Sequence, residues 1–138
     1  MKIEVVIPVV QYELAMDLLK QIQGNTLAPN RVIIVDNTDR PHFWFDSFRF
    51  PTDRYYSKTG RLNESWEVAR SKLSPDCDYV TFLNDDIVIG NWFFQRVVET
   101  FEANFETATF SSSCADNFAE IDAFEVTGSK IDLSIIFI

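Results

Sequence analysis

The most informative segment of the chain is Val80-Thr81-Phe82-Leu83-Asn84-Asp85-Asp86-Ile87, an apolar run followed by three adjacent polar residues. Parallel strands that are buried on both faces have continuous apolar sequences of this kind. In open α/β sheets, ligands bind outside the carboxyl ends of such strands. Two carboxylates at that place suit a hard divalent cation, which prefers oxygen ligands and often contacts substrate phosphates. The alternative is a solvated turn, because Asn and Asp are both common in turns.

Strands and helices alternate along most of the chain. The predicted strands cover residues 3–10, 31–35, 54–57, 79–83, 107–113 and 133–138, and the first of them is apolar and β-branched. The predicted helices, which carry apolar residues at helical spacing, cover residues 12–23, 62–73 and 94–105. Gly24 is expected to cap the end of the first helix and Asn63 the start of the second, whereas Asp53 is expected in a turn. The alternation predicts an α/β fold, a Rossmann-like three-layer α/β/α sandwich with a mostly parallel sheet and a central first strand.

The composition limits the class of protein. A length of 138 residues suits a single domain, covering 1–138, and 46% hydrophobic with 24% charged residues is usual for a soluble globular chain. The formal net charge of −9 argues against nonspecific nucleic-acid binding, which needs a basic surface. Cys77, Cys114 and His42 lack the spacing of a Cys/His zinc site. Neither a signal peptide nor a transmembrane segment is predicted, so we expect a cytoplasmic protein.

Polar residues follow three of the predicted strands: those after Pro8, the Asp36-Asn37 pair, and Asn84-Asp85-Asp86. Because the carboxyl ends of parallel strands meet at one edge of the sheet, these groups are expected to converge on one crevice. The chain has only 4 glycines and contains neither GxGxxG nor GxxxxGKS/T, which excludes the ordinary glycine-rich phosphate loops. A diphosphate would then need a metal ion held by Asp86. Asp36 could accept a hydrogen bond from a base N–H or a ribose hydroxyl.

Four segments of the chain, taken in order, resemble the nucleotide-sugar-binding half of GT-A fold glycosyltransferases, and are most similar to family 2 of the inverting enzymes. Val5-Val6-Ile7-Pro8 resembles the "VVIP" of the first strand, and Ile33-Ile34-Val35-Asp36-Asn37-Thr38-Asp39 resembles "IIVVDDGSTD". Asn63-Glu64-Ser65-Trp66-Glu67-Val68-Ala69-Arg70-Ser71 resembles "NxGxxxARN". Tyr79-Val80-Thr81-Phe82-Leu83-Asn84-Asp85-Asp86 resembles "YxxFLDDD", which contains the DXD-type metal motif. Together the segments span about the first two-thirds of the chain.

The resemblance implies a glycosyltransferase of the hexosyltransferase type that depends on Mn²⁺ or Mg²⁺. Its donor would be a nucleoside-diphosphate sugar (a UDP- or GDP-sugar), and its acceptor a hydroxyl of a glycan or other molecule. Carried over position by position, the resemblance implies that Asp86 binds the metal ion and that Asp36 contacts the base of the nucleotide. The residues that it implies for nucleotide-sugar binding are Pro8, Val9, Asp36, Arg61, Asn84 and Asp85.

The chain also departs from the family pattern. Val9-Val10-Gln11 stands where the family usually has Thr-Tyr-Asn, and Ser65 replaces a usual Gly. The family carries its acceptor site and catalytic base in a C-terminal half, and this chain ends at Ile138, so we expect a short or C-terminally truncated domain. No catalytic residue is assigned, because the nearby downstream carboxylates, Asp116, Glu120 and Asp122, are not distinguished by the sequence. The alternative function is therefore a non-catalytic nucleotide-sugar-binding or partner-binding domain, either a fragment or a degenerate copy.

Overall fold

The computed structural model describes residues 2–38, 48–57, 62–103, 109–112 and 126–129. The strands are β1 (Ile3–Val9), β2 (Arg31–Asp36), β3 (Thr52–Tyr56), β4 (Tyr79–Phe82), β5 (Thr109–Ser112) and β6 (Val126–Ser129). The helices are α1 (Tyr12–Gln23), α2 (Leu62–Lys72) and α3 (Phe93–Ala103). None of the helices in these ranges is long and apolar enough to cross a membrane.

Four of the strands form a parallel sheet in the order β3-β2-β1-β4. In its register, Val9 on β1 lies opposite Asp36 on β2, and Val6 on β1 lies opposite Phe82 on β4. The chain therefore builds outward from β1 to β3 and then returns to the other side of β1, which leaves β1 inside the sheet. The predicted α/β class, the parallel sheet and the central first strand are confirmed. β5 and β6 pair with each other in an antiparallel two-stranded sheet.

The sheet has an apolar core on each face, because neighbouring side chains of a strand point to opposite sides. On one face, β1 packs against α1 and α3 through a cluster that includes Val5, Leu18 and Phe94. On the other face, Val6 and Val35 pack with Ala69 of α2. These two clusters make the three layers that the alternating sequence predicted.

Gly24 is the C-cap of α1, as predicted, and its N–H donates to the carbonyls of Lys20 and Ile22 from a right-handed backbone conformation (φ −80°, ψ −5°). Other local predictions needed correction. Asn63 lies inside α2, which begins at Leu62, and is not the N-cap. β5 lies within the strand predicted over 107–113, whose residues 107, 108 and 113 are outside the described residues. β6 was not predicted because Val126–Ser129 contains a glycine and two polar residues. The strand predicted over 133–138 lies outside the described residues.

The amino-terminal end of the sheet holds a buried charge network. Glu4 of β1 is fully buried and accepts hydrogen bonds from the backbone N–H of Ser74 (2.9 Å) and from the Arg31 guanidinium (3.1 Å). Arg31 also donates to Asp53. The prediction that Asp53 lies in a turn was wrong: it lies in β3, where the neighbouring strand supplies its partner. Burial alone would raise the pKa of Glu4, but the hydrogen bonds from Ser74 and Arg31 outweigh burial and hold that pKa below its usual value.

Candidate functional site

The three polar segments that follow β1, β2 and β4 meet at the end of β1. The backbone N–H of Asn37, just after β2, donates to the carbonyl of Val9 (2.8 Å). From the other side, Asp85 Oδ2 accepts from the backbone N–H groups of Val10 (2.9 Å) and Gln11 (2.8 Å). The predicted convergence at the carboxyl ends of the strands is therefore present as a set of hydrogen bonds.

Asn84, Asp85 and Asp86 differ in how they meet solvent. Asp85 is 5% exposed, whereas Asn84 and Asp86 on either side of it are exposed. Within the ranges that the structure describes, Asp86 has no hydrogen bond or ion pair. The three-residue segment thus presents an amide and a carboxylate to solvent and turns the middle carboxylate inward.

Asp85 accepts hydrogen bonds from the backbone just before the amino terminus of α1. The first N–H groups of a helix have no partner within the helix, and this end carries a partial positive charge. Gln11, the residue that precedes α1, has extended dihedral angles (φ −122°, ψ 99°) and makes no side-chain cap. A carboxylate from a distant part of the chain supplies acceptors for Val10 and Gln11 instead. It satisfies both donors and places a negative charge where the helix dipole stabilises it.

Asp36 shapes the turn that follows β2. Its side chain is 1% exposed, and Oδ1 accepts from the backbone N–H of Thr38 (2.8 Å) and from the Thr38 hydroxyl (2.6 Å). An aspartate that binds the backbone two residues later makes an Asx-turn. The position of Asp36 at the carboxyl end of β2 is as predicted, and its role toward a nucleoside stays a prediction.

One contact of this region was missed from the sequence. Asn37 Nδ2 donates to Ser65 Oγ at 2.8 Å, and Ser65 is fully buried in α2. Asn37 Oδ1 is buried and has no hydrogen-bond partner among the described residues. Ser65 had stood out only as a replacement for glycine, and a hydroxyl facing the turn after β2 explains why a polar residue can occupy this buried position.

The other residues predicted for nucleotide-sugar binding are placed less favourably or are not described. Pro8 is buried within β1. The Val9 side chain is fully buried in the core beside α1, so any ligand contact from Val9 would come from its backbone. Arg61 lies outside the described residues.

The donor set can be compared with what a divalent cation requires. Within the described part of the chain, no group of three or more His, Cys, Asp or Glu side chains is arranged to hold a metal ion. Mg²⁺ usually keeps several waters and binds one or two carboxylates together with substrate phosphates, and Mn²⁺ also suits carboxylate and carbonyl oxygens. Asp86 with Asn84 therefore fits an ion shared with a diphosphate, and does not fit a cage made by protein alone.

Comparison with known proteins gives a structural likeness only. No family model matches the chain, and no curated protein matches it in sequence. A crystal structure of S. aureus TarS residues 1–349 superposes with a TM-score of 0.64 at 15% identity, and covers 79% of this chain. A second crystal structure of S. aureus TarS gives 0.60 at 14% identity, again over 79% of this chain. TarS is a glycosyltransferase, and the likeness supports a GT-A-like fold. The chain spans 34% and 21% of the two TarS chains.

Proposed function

We propose that this chain is the nucleotide-sugar-binding part of a glycosyltransferase of the hexosyltransferase type. The observation that carries the proposal is the position of Asp86. It is an exposed carboxylate just past the carboxyl end of β4, beside the end of β1, in a fold similar to that of TarS. The carboxyl edge of a parallel sheet is the general ligand site of this architecture.

The proposed donor is a UDP- or GDP-sugar. Asp86, with the amide of Asn84 beside it, would share a Mn²⁺ or Mg²⁺ ion with the diphosphate, and that ion would supply Lewis-acid stabilisation of the departing diphosphate. Asp36 would accept a hydrogen bond from the nucleoside at the neighbouring strand end. Since Asp36 Oδ1 already accepts from Thr38, this residue would orient the turn as well as meet the ligand.

The proposed reaction is attack by an acceptor hydroxyl on the anomeric carbon of the sugar. The bond from that carbon to the diphosphate breaks as the new glycosidic bond forms, and the proton of the hydroxyl passes to a general base. The described residues give no assignment for this base. Asp116, Glu120 and Asp122 lie outside them.

Turnover of the donor tests the proposal. UDP- and GDP-sugars would be incubated with the chain in Mn²⁺ or in excess chelator, and release of UDP or GDP would be followed by chromatography. The proposal expects release that needs both the metal and Asp86. Release that continues unchanged in Asp86→Ala would contradict it.

A second candidate, a non-catalytic nucleotide-sugar-binding domain, is favoured by one specific observation. Two of the three carboxylates at the strand ends, Asp36 and Asp85, already accept hydrogen bonds from backbone N–H groups of the protein. A domain that only holds a ligand needs fewer free carboxylates than an enzyme that also activates an acceptor. Metal-dependent binding of a nucleoside diphosphate, without turnover of any sugar donor, would support this candidate over the enzyme.

A further inference from the structure

We propose that Asp85 is the positioning residue of the candidate nucleotide site, acting through the backbone of Val10 and Gln11 and not through the metal or the ligand. The inference rests on the proposed function and deepens it. It differs from the role that the sequence resemblance implies for Asp85, which is direct contact with the nucleotide sugar.

The geometry separates Asp85 from its two neighbours. Its side chain is 5% exposed, and one oxygen, Oδ2, accepts two backbone N–H groups at 2.9 and 2.8 Å. Those donors lie 75 and 74 positions away in the sequence. The contact therefore ties the segment after β4 to the segment between β1 and α1. A side chain held in this way directs its neighbours, Asn84 and Asp86, toward solvent.

The two hydrogen bonds of Asp85 have a second consequence. The amino terminus of a helix is a ready site for phosphate, because its N–H groups and its dipole both favour an anion. The N–H groups of Val10 and Gln11, which immediately precede α1, are already used by a protein side chain. A ligand phosphate cannot take these two donors while Asp85 accepts from them. The diphosphate of a donor is thereby directed to Asp86 and its metal ion.

The two substitutions of Asp85 that separate positioning from ligation are Asp85→Asn and Asp85→Ala. Asparagine keeps an oxygen that can accept from Val10 and Gln11, and removes the negative charge that a metal ligand needs. Alanine removes both the acceptor and the charge. Asp86→Ala serves as the reference for loss of the metal ligand itself.

The experiment is calorimetric titration of each variant of the 138-residue chain with UDP and with GDP in the presence of Mn²⁺, after thermal melting has shown which variants fold. Outer residues that orient a metal ligand typically change metal affinity by about 10- to 100-fold, and we expect a loss of this size in Asp85→Ala. We expect Asp85→Asn to recover most of the affinity, with a loss below about tenfold. Formate, which can occupy the vacated carboxylate position, should partly restore Asp85→Ala.

The outcomes that overturn the inference are distinct from those that overturn the function. If wild type binds and folded Asp85→Ala binds equally well, Asp85 positions nothing. If Asp85→Asn loses as much affinity as Asp85→Ala, the charge is needed and Asp85 acts on the metal or ligand directly. If Asp85→Ala does not fold, Asp85→Asn decides alone: retained binding supports the inference and lost binding overturns it. If wild type binds neither nucleotide, the proposed function fails and the inference fails with it.

Discussion

The two ends of the parallel sheet use buried carboxylates in opposite ways. At the amino-terminal end, Glu4 is fully buried and paired with Arg31, which also binds Asp53. At the carboxyl end, Asp85 is nearly as buried but accepts from the backbone N–H groups of Val10 and Gln11, and Asp86 is exposed. Neither Asp85 nor Asp86 forms an ion pair within the described ranges. A carboxylate matched by a cation stabilises the fold, whereas one left facing solvent at a strand end is available to a ligand.

The largest effect on folding is expected from Glu4→Gln. Glu4→Gln removes the buried carboxylate from its pair with Arg31, which would keep Asp53 as its acidic partner and the Lys72 carbonyl as a further acceptor. We expect a loss of about 3 kcal/mol in the free energy of unfolding, measured by urea denaturation at neutral pH. The matched control is Glu67→Gln, which breaks an exposed pair with Arg70 and should change that free energy by less than about 1 kcal/mol. Equal losses of unfolding free energy in Glu4→Gln and Glu67→Gln would show that the buried pair stabilises the fold no more than the exposed one.

Asp86→Ala should reduce ligand affinity and leave the stability of the fold unchanged. We expect the Mn²⁺-dependent affinity for a nucleoside diphosphate to fall at least about a hundredfold, which corresponds to about 2.7 kcal/mol, with the melting temperature unchanged. The affinity falls because the metal loses its protein carboxylate, and the fold is unaffected because Asp86 has no partner in the described ranges. Asp17→Ala is the control: it removes an exposed carboxylate from α1 and should alter neither quantity. A drop in melting temperature that accompanies the lost affinity would argue that Asp86 is structural.

We expect Asp36→Ala to weaken nucleotide binding by less than Asp86→Ala does. A hydrogen bond from a base N–H to a carboxylate contributes about 1.5–3 kcal/mol, so nucleotide binding should weaken by roughly ten- to a hundredfold. Unlike the effect of Asp86→Ala, the loss should persist for the bare nucleoside without metal. The control Thr38→Val removes the hydroxyl that donates to Asp36 and keeps the carboxylate. It should lower the melting temperature and spare affinity. Unchanged nucleoside affinity in Asp36→Ala would show that Asp36 only stabilises the turn after β2.

Lowering the pH should have a smaller effect on the free energy of unfolding. The folded protein holds the pKa of Glu4 below its ordinary value of 4.5, through the hydrogen bonds of Ser74 and Arg31 that outweigh burial. The unfolded chain therefore binds this proton more readily. The stabilisation is complete above pH 4.5 and is lost as the pH falls through the folded pKa. Urea denaturation across this range should show a steeper acid loss of stability in wild type than in Glu4→Gln. Parallel curves would show that Glu4 is not stabilised in its charged form.

Much of the fold could be predicted from the sequence, because apolar periodicity carries it. The bounds of α1 agree with the prediction, and those of β1 and β4 agree within one residue. Asp53 was misplaced because a Pro-Thr-Asp segment has the composition of a turn, while its partner Arg31 lies 22 positions away. β6 was missed because its sequence lacks an apolar pattern.

The candidate site could be located from the sequence but not resolved into roles. The buried strand that precedes Asn84, Asp85 and Asp86 predicted that these residues lie at the carboxyl edge of the sheet. Which of the three would turn inward depends on backbone N–H groups near the end of β1, and these have no sequence signature. The link between Asn37 and Ser65 was likewise hidden, because it depends on how α2 packs beside the turn after β2.

Calorimetric titration of wild type with UDP and with GDP, each with and without Mn²⁺, would decide whether the carboxyl edge of the sheet binds a nucleotide through a metal ion. The carboxyl end of the sheet is proposed to hold a diphosphate through Asp86 and a shared ion. We therefore expect one of the two nucleotides to bind when Mn²⁺ is present and to bind much more weakly when a chelator removes it. Absence of binding by both nucleotides, or equal affinity with and without the metal, would contradict the account.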